Sequence, residues 1–176
     1  AGLGESLPGW ELCPSEKGGG AIGYGRKGKG STVHLLTDGG GIPLAALVTG
    51  AHVHEQQVGL QVLDGVRVPR RSGRPKQRPV TLAADKGYDG TRFRHGLRKR
   101  GICPSIPLRV WPGRRRKPGR PPKVHPASAW RWVVERTHAW MDNWRRLVVR
   151  WERHVLSHRA FLVIACFMTC LKGISG

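Results

Sequence analysis

The chain has 176 residues, enough for one domain with a sizeable core and cramped for two. Its 31 Lys and Arg against 11 Asp and Glu give a formal charge of +20, far past the roughly 2 to 8 units that keep a small domain soluble; a charge-balanced surface is excluded and a polyanion, nucleic acid first, is the expected partner. Cys13, Cys103, Cys166 and Cys170 form no Cys-x-x-Cys pair, which argues against a disulfide framework and predicts a reduced cytoplasmic protein with buried thiols.

In chain order, residues 1–30 are glycine-rich, lack periodicity and predict an irregular segment with at most one short strand. "STVHLLTD" (31–38), the turn "GGG" and "IPLAALVTG" (42–50) predict a β-hairpin. Val58, Leu60, Val62, Leu63 and Val66 suit one face of a helix that starts at Glu55 and is ended by the stretch "VPRRSGRPKQRP" (68–79). "VTLAA" (80–84) has the continuous apolar pattern of a strand buried on both faces. "GTRFRHGLRKRG" (90–101) predicts a short basic helix and "ICPSIPL" (102–108) another strand. Residues 109–129 are too rich in Pro, Gly and Arg to pack and form a basic insertion loop. From Trp130 to Gly173 no proline intervenes, and two helices or one broken helix are expected, with the break at His154 to His158. The late tryptophans fall at helical intervals and are expected in the core. The apolar run 160–171 falls short of the roughly 18 to 20 residues that span a bilayer and no signal peptide precedes it, so a core helix and no membrane are expected. Strands alternating with helices make an α/β plan.

Several motifs carry chemistry. "GYGRKG" (23–28) mimics a phosphate loop, but a strand follows it where a helix is required, so it reads as a flexible basic hairpin. "SGRPKQRP" (72–79) and "RRRKPGRPPK" (114–123) each hold Gly-Arg-Pro in a basic setting, the flat core of an AT-hook that lies in a narrow minor groove; solvated linkers touching phosphates are the alternative. The histidines show no metal-ligand spacing. Among the acids, Asp38 precedes a glycine turn, Asp64 lies near a helix end, and Asp142 and Glu152 have arginine neighbours. Asp85 has no such explanation: it ends a buried strand, where ligands bind in open α/β sheets. Glu135 has Arg131 four residues before it, which suffices for an ion pair, yet it also follows the Asp-x-Gly-Tyr-Asp motif by fifty residues in a chain charged for DNA.

"HLLTDGGGIPLAALVTGAHVHE", "LAADKGYD" and "RWVVERTHAWMDNWRRLVVRWER" closely resemble the catalytic domain of bacterial DDE-type insertion-sequence transposases, from about residue 17 to residue 171. The resemblance implies a ribonuclease-H-like mixed sheet flanked by helices over 31–176, with 109–129 as its basic insertion. It also implies Mg2+ or Mn2+, DNA cleavage and strand transfer at transposon ends, and a homodimer when active, working on transposon ends and target DNA in the bacterial cytoplasm at the nucleoid. Carried across, Asp85 and Glu135 are the second and third catalytic acids and metal ligands, with Arg131 the motif partner of Glu135. Arg92, Arg98, Lys99 and Arg100 of the basic helix and Arg114, Arg115, Arg116, Lys117 and Arg120 of the basic loop are expected to hold the DNA backbone, joined by Arg131. The pattern departs in three places. The first catalytic Asp falls at Gly9, with Glu11, two residues on and on the same face of a strand, as the substitute ligand. Family members often carry His-Asp where this chain has His54-Glu55, and the upstream region that helps bind transposon ends is missing, so the chain reads as truncated at its N-terminus. Weak or no transposition is therefore expected. A non-catalytic DNA-binding remnant and a basic RNA-binding protein are the alternatives.

Overall fold

The computed structural model describes residues 5–15, 17–109, 119 and 132–175. β3 (Gly28–Asp38) organises the sheet: it pairs antiparallel with β4 (Pro43–Gly50), with β1 (Glu5–Pro14) and, at its start, with β2 (Gly23–Gly25). β1 pairs parallel with β5 (Thr81–Ala83), which pairs parallel with β6 (Cys103–Ser105). The resulting order β4-β3-β1-β5-β6, three antiparallel strands followed by two parallel ones, is the ribonuclease-H-like mixed sheet. β3 can sit at its centre because its apolar and β-branched residues serve two cores at once. Leu36 packs with α1 (Glu55–Asp64) and α2 (Thr91–Lys99) through Val58, Val62, Phe93 and Leu97, while Val33 and Leu35 pack on the opposite face with Met141, Leu147, Leu162 and Ala165.

The hairpin of β3 and β4, the helices α1 and α2 and the strands β5 and β6 lie where the apolar patterns place them. Residues 1–30 are a correction. They hold β1 and β2, and β1, ten residues long, lies between β3 and β5. Pro8, Gly9 and Pro14 hide the strand locally. Tertiary pairing overrides them, because only Glu5 and Ser6 pair with β5, so both prolines fall where that side of the strand has no ladder to serve.

A second correction concerns the last third. α3 (Trp132–Met141), the single turn α4 (Arg145–Val148) and α5 (Val155–Ser175) break at 142–144 and 149–154, upstream of the expected site. Arg150 makes the second break. Its guanidinium is buried and donates to the carbonyls of Ala21, Glu152 and Arg153 and to Ser31 Oγ, which draws the chain out of helix and clips it to the start of β3. Trp132, Trp140, Trp144 and Trp151 are exposed rather than buried, because α3 turns Val133, Val134, Thr137, His138 and Met141 inward and leaves its tryptophans on the other face. There the Arg136 guanidinium lies 4.7 and 4.9 Å from the rings of Trp132 and Trp140.

α5 buries Leu162, Ala165 and Thr169 but exposes Leu156, Val163, Ile164, Phe167 and Leu171, so it is a core helix along one face only. Its segment Val155–Gly173 is long and apolar enough to cross a membrane by length and composition. Of the thiols expected to be buried, Cys103 is exposed.

α3 is held on the sheet by the β3–β4 turn. Asp38 Oδ1 accepts from the amides of Gly40 and Ile42, both at 2.9 Å, and the shaped turn presents its carbonyls to Arg136 and Thr137. This accounts for Asp38 as a turn residue, and it fixes where Glu135 stands.

Candidate active site

Asp85 lies two residues past the end of β5 and caps a 3-10 turn (Lys86–Tyr88), its Oδ1 accepting from the Gly87 amide at 2.8 Å. The carboxylate lines a cleft of about 570 Å3 whose wall includes His52, His54 and Glu55 from the start of α1. His54 Nδ1 caps that helix by accepting from the Gln56 amide, and Glu55 lies in its first turn, where the helix dipole favours an acid. The two carboxylates converge on Gly87: a Cβ built there would lie 2.9 Å from Asp85 Oδ1 and 3.1 Å from Glu55 Oε2. Tyr88 beneath them registers both charges. Burial first, then Glu55 and Asp85, push its phenol well above the usual range. Glu55 is the acid that sequence reasoning passed over. In the sequence it showed only as the residue after His54, where the resemblance expects an Asp.

Neither Glu11 nor Glu135 lines this cleft. The parallel ladder ends at Ser6 beside Leu82; Gly9, the position of the missing first acid, lies three residues beyond it on β1, and Asp85 three residues beyond it after β5. A side chain at Gly9 would force its neighbours to shift: a Cβ there would meet Val134 Cγ2 at 2.6 Å and His138 Nε2 at 2.9 Å. Glu11 does point to the same face as Gly9, as strand alternation requires. It meets His138 Nδ1 at 3.2 Å, whereas its neighbour Leu12 lines the cleft on the opposite face. The hydrogen bond from His138, opposed by partial burial and helped by the charges of His138 and Lys27, holds the Glu11 carboxyl below its ordinary value. Asp142 is shifted upward, by burial first and then by the Glu11 charge, so its neighbour is an acid rather than the expected arginine. Glu135 is exposed on α3, next to the Val134 that covers Gly9. Among the described residues no three His, Cys, Asp or Glu side chains gather as a metal set. The acids present therefore do not fit the two-metal, three-acid centre, which needs several converging oxygen ligands.

Basic residues surround the cleft and the α2 side. Arg26, Lys27, Lys86 and Arg109 line the cleft. Arg92, Arg98 and Lys99 are exposed on α2, while Phe93 and Leu97 are buried. Arg100 differs from them: its Nε and Nη2 donate to the two Asp64 oxygens at 3.0 and 2.8 Å. The segment 69–78 is exposed throughout and pinched at its base by the paired amides and carbonyls of Val68 and Lys76, which displays Gly73-Arg74-Pro75 as a projecting loop. Arg114, Arg115, Arg116, Lys117, Arg120 and Arg131 lie outside the described residues, as does the second Gly-Arg-Pro segment apart from Gly119.

The mixed sheet, with an acid just past its parallel strands in so basic a chain, is a domain of ribonuclease-H-like plan. Residues 9–170 match the family model described as transposase DDE domain, and the chain belongs to that family. It is 42% identical over 142 residues to a Burkholderia cepacia protein described as "Putative transposase for insertion sequence element IS402". That alignment covers 80% of this chain and 63% of the relative, so the chain spans less than two thirds of that protein's length. Similar solved structures are the intasome of simian T-cell lymphotropic virus in complex with PP2A regulatory subunit B56 gamma (TM-score 0.44, 12% identity, 81% of this chain and 39% of that one) and the catalytic core domain of BIV integrase (0.41, 14%, 81% and 68%). A piggyBac transposase synaptic complex with hairpin DNA gives 0.46, 11%, 67% and 25%.

Proposed function

We propose that this chain is the catalytic-domain portion of an insertion-sequence transposase that binds DNA along its basic cleft and α2 face, and that its metal-dependent cleavage and strand transfer at transposon ends are weak or absent. In this reading Asp85 and Glu135 are the family's second and third acids, and Glu11 is an ion-pair partner of His138 rather than the first acid. The domain comprises the strands and helices from β1 onward, with 109–129 as a basic insertion, and it works as a homodimer at the nucleoid. The observation that supports the reading is Gly9: at the position the resemblance gives to the first acid there is no side chain, and a Cβ there would crowd Val134 and His138. The binding half of the work falls to Arg26, Lys27, Lys86 and Arg109, which line the cleft with Asp85 and would meet phosphates there.

The test is a duplex-binding titration by fluorescence anisotropy over a range of salt, followed by a nicking and strand-transfer assay with Mg2+ and with Mn2+. We expect salt-sensitive binding to DNA and little or no nicking, with Asp85→Ala binding as wild type does. Robust strand transfer by the 176-residue chain overturns the proposal of weak chemistry. Preference for RNA over DNA in competition overturns the DNA reading.

A further inference from the structure

We infer that Tyr24 is a stacking platform for an unpaired nucleobase of bound DNA, an inference that rests on the DNA reading above and extends it to the form of DNA the cleft accepts. Tyr24 stands on β2 with 77% of its surface exposed, and it lines the same cleft as Asp85. A tyrosine so open contributes little to a core, yet its backbone is firmly seated. Its neighbours are glycines because the strand presses against the end of β4: a Cβ on Gly23 would collide with the His52 ring, and one on Gly25 with the Ala51 carbonyl. Alternation along the strand then turns Tyr24 away from that contact. The sequence Gly-Tyr-Gly thus presents one aromatic ring on a braced hairpin.

The surroundings of the ring select the ligand. Lys29, its cross-strand partner, places Nζ 5.9 Å from the ring centroid, and Arg26 and Lys27 at the turn line the cleft with it. An aromatic face among cations matches a polyanion that also carries flat rings, the pairing used by proteins that hold single strands. A base inside a duplex has both faces covered by its neighbours, so a ring that stacks within the cleft requires an unpaired base or a frayed end. The cleft, about 570 Å3, falls in the range of roughly 300 to 1,000 Å3 typical of sites for small ligands. Asp85 in its wall would therefore face a strand that is unpaired or frayed.

The experiment compares a short blunt duplex with the same duplex carrying an unpaired 3′ overhang that has 2-aminopurine at its first unpaired position, using the full chain. We expect wild type to prefer the overhang and to quench the 2-aminopurine. Tyr24→Ala should lose roughly 5- to 150-fold of overhang affinity together with the quenching, and Tyr24→Phe should keep both. Retention of preference and quenching by Tyr24→Ala overturns the inference. Equal binding of both duplexes by wild type without quenching overturns the stacking site alone, and failure to bind either duplex overturns the DNA reading and the stacking site with it.

Discussion

The two faces of the sheet beside Asp85 differ. On the side of α1 the chain keeps an open cleft, with Asp85 and Glu55 gathered about Gly87 and cations around them. On the side of α3 the equivalent space is filled: Val134 and His138 lie where a side chain on Gly9 would go, and Glu11 is paired to His138. One face has the features of a ligand site and the other those of a packed layer. A fold built on β3 and its two cores tolerates this asymmetry because neither core depends on an acid at position 9. Chemistry and stability are thus separable here, and each can be tested by altering one face at a time.

The largest effect is expected where the packed face is fastened. Arg150→Ala leaves Ser31 Oγ and the carbonyls of Glu152 and Arg153 without this donor, while the Ala21 carbonyl still accepts from Ser31 Oγ, and each such loss costs on the order of 1–3 kcal/mol. Water reaches some of them, so we expect a net loss of about 3 kcal/mol by urea denaturation. A variant as stable as wild type would show that the clip is not what holds the α4–α5 link.

Gly9→Asp tests the closed position itself. Forcing a carboxylate between Val134 and His138 should cost about 1–3 kcal/mol, and Val134→Ala, by opening room, should recover part of it. If the missing acid is what limits chemistry, nicking with Mg2+ or Mn2+ should appear in the double variant and not in Val134→Ala alone. A double variant that is stable and still inert would place the defect elsewhere, with Glu135 the next position to examine.

Acidification separates Glu11 from the cleft. The Glu11 carboxyl is held below its ordinary value of 4.5 by the hydrogen bond from His138. Its stabilisation is therefore present above that value and lost as the pH falls through the lower folded one. Glu11→Gln should flatten that part of the acid limb in urea midpoints measured against pH, by a modest amount because the side chain is 41% exposed. His34 supplies a background at higher pH. Burial, with a smaller contribution from His138, pushes it down to about 4, so stability falls from pH 6.5 toward 4 in both proteins and the Glu11 effect is read as their difference. Identical acid limbs would mean that the ion pair contributes nothing to folding.

Most of the fold was legible from sequence because β3, β4, α1, α2 and β5 carry their own apolar patterns. β1 was not, since Pro8 and Gly9 break any local signal and the strand exists through its register with β3. The tryptophans misled for a related reason: helical spacing says that residues share a face, but not which face turns inward. At the site, Asp85 stood out because nothing local explained it. Glu55 and Tyr24 became visible only when distant segments met, α1 with the turn after β5, and the Gly23–Gly25 strand with the end of β4.

The smallest effect concerns how the basic α2 face reads phosphate. Arg98 is exposed, whereas Arg100 is already held by both oxygens of Asp64. Each phosphate contact removed should flatten the dependence of log affinity on log salt by roughly 0.9. Arg98→Ala should show about that change and Arg100→Ala distinctly less, because a guanidinium must leave its carboxylate before it can serve the DNA. The exposed pair itself contributes only about 0.2–1 kcal/mol to stability, so both variants stay folded and the comparison isolates binding. Asp64→Asn then sharpens the test by freeing Arg100, and it should steepen the salt dependence that Arg100→Ala leaves nearly unchanged. Equal slopes for all of these proteins would move the DNA track off α2 and onto the cleft side, where Arg26 and Lys86 stand beside Asp85.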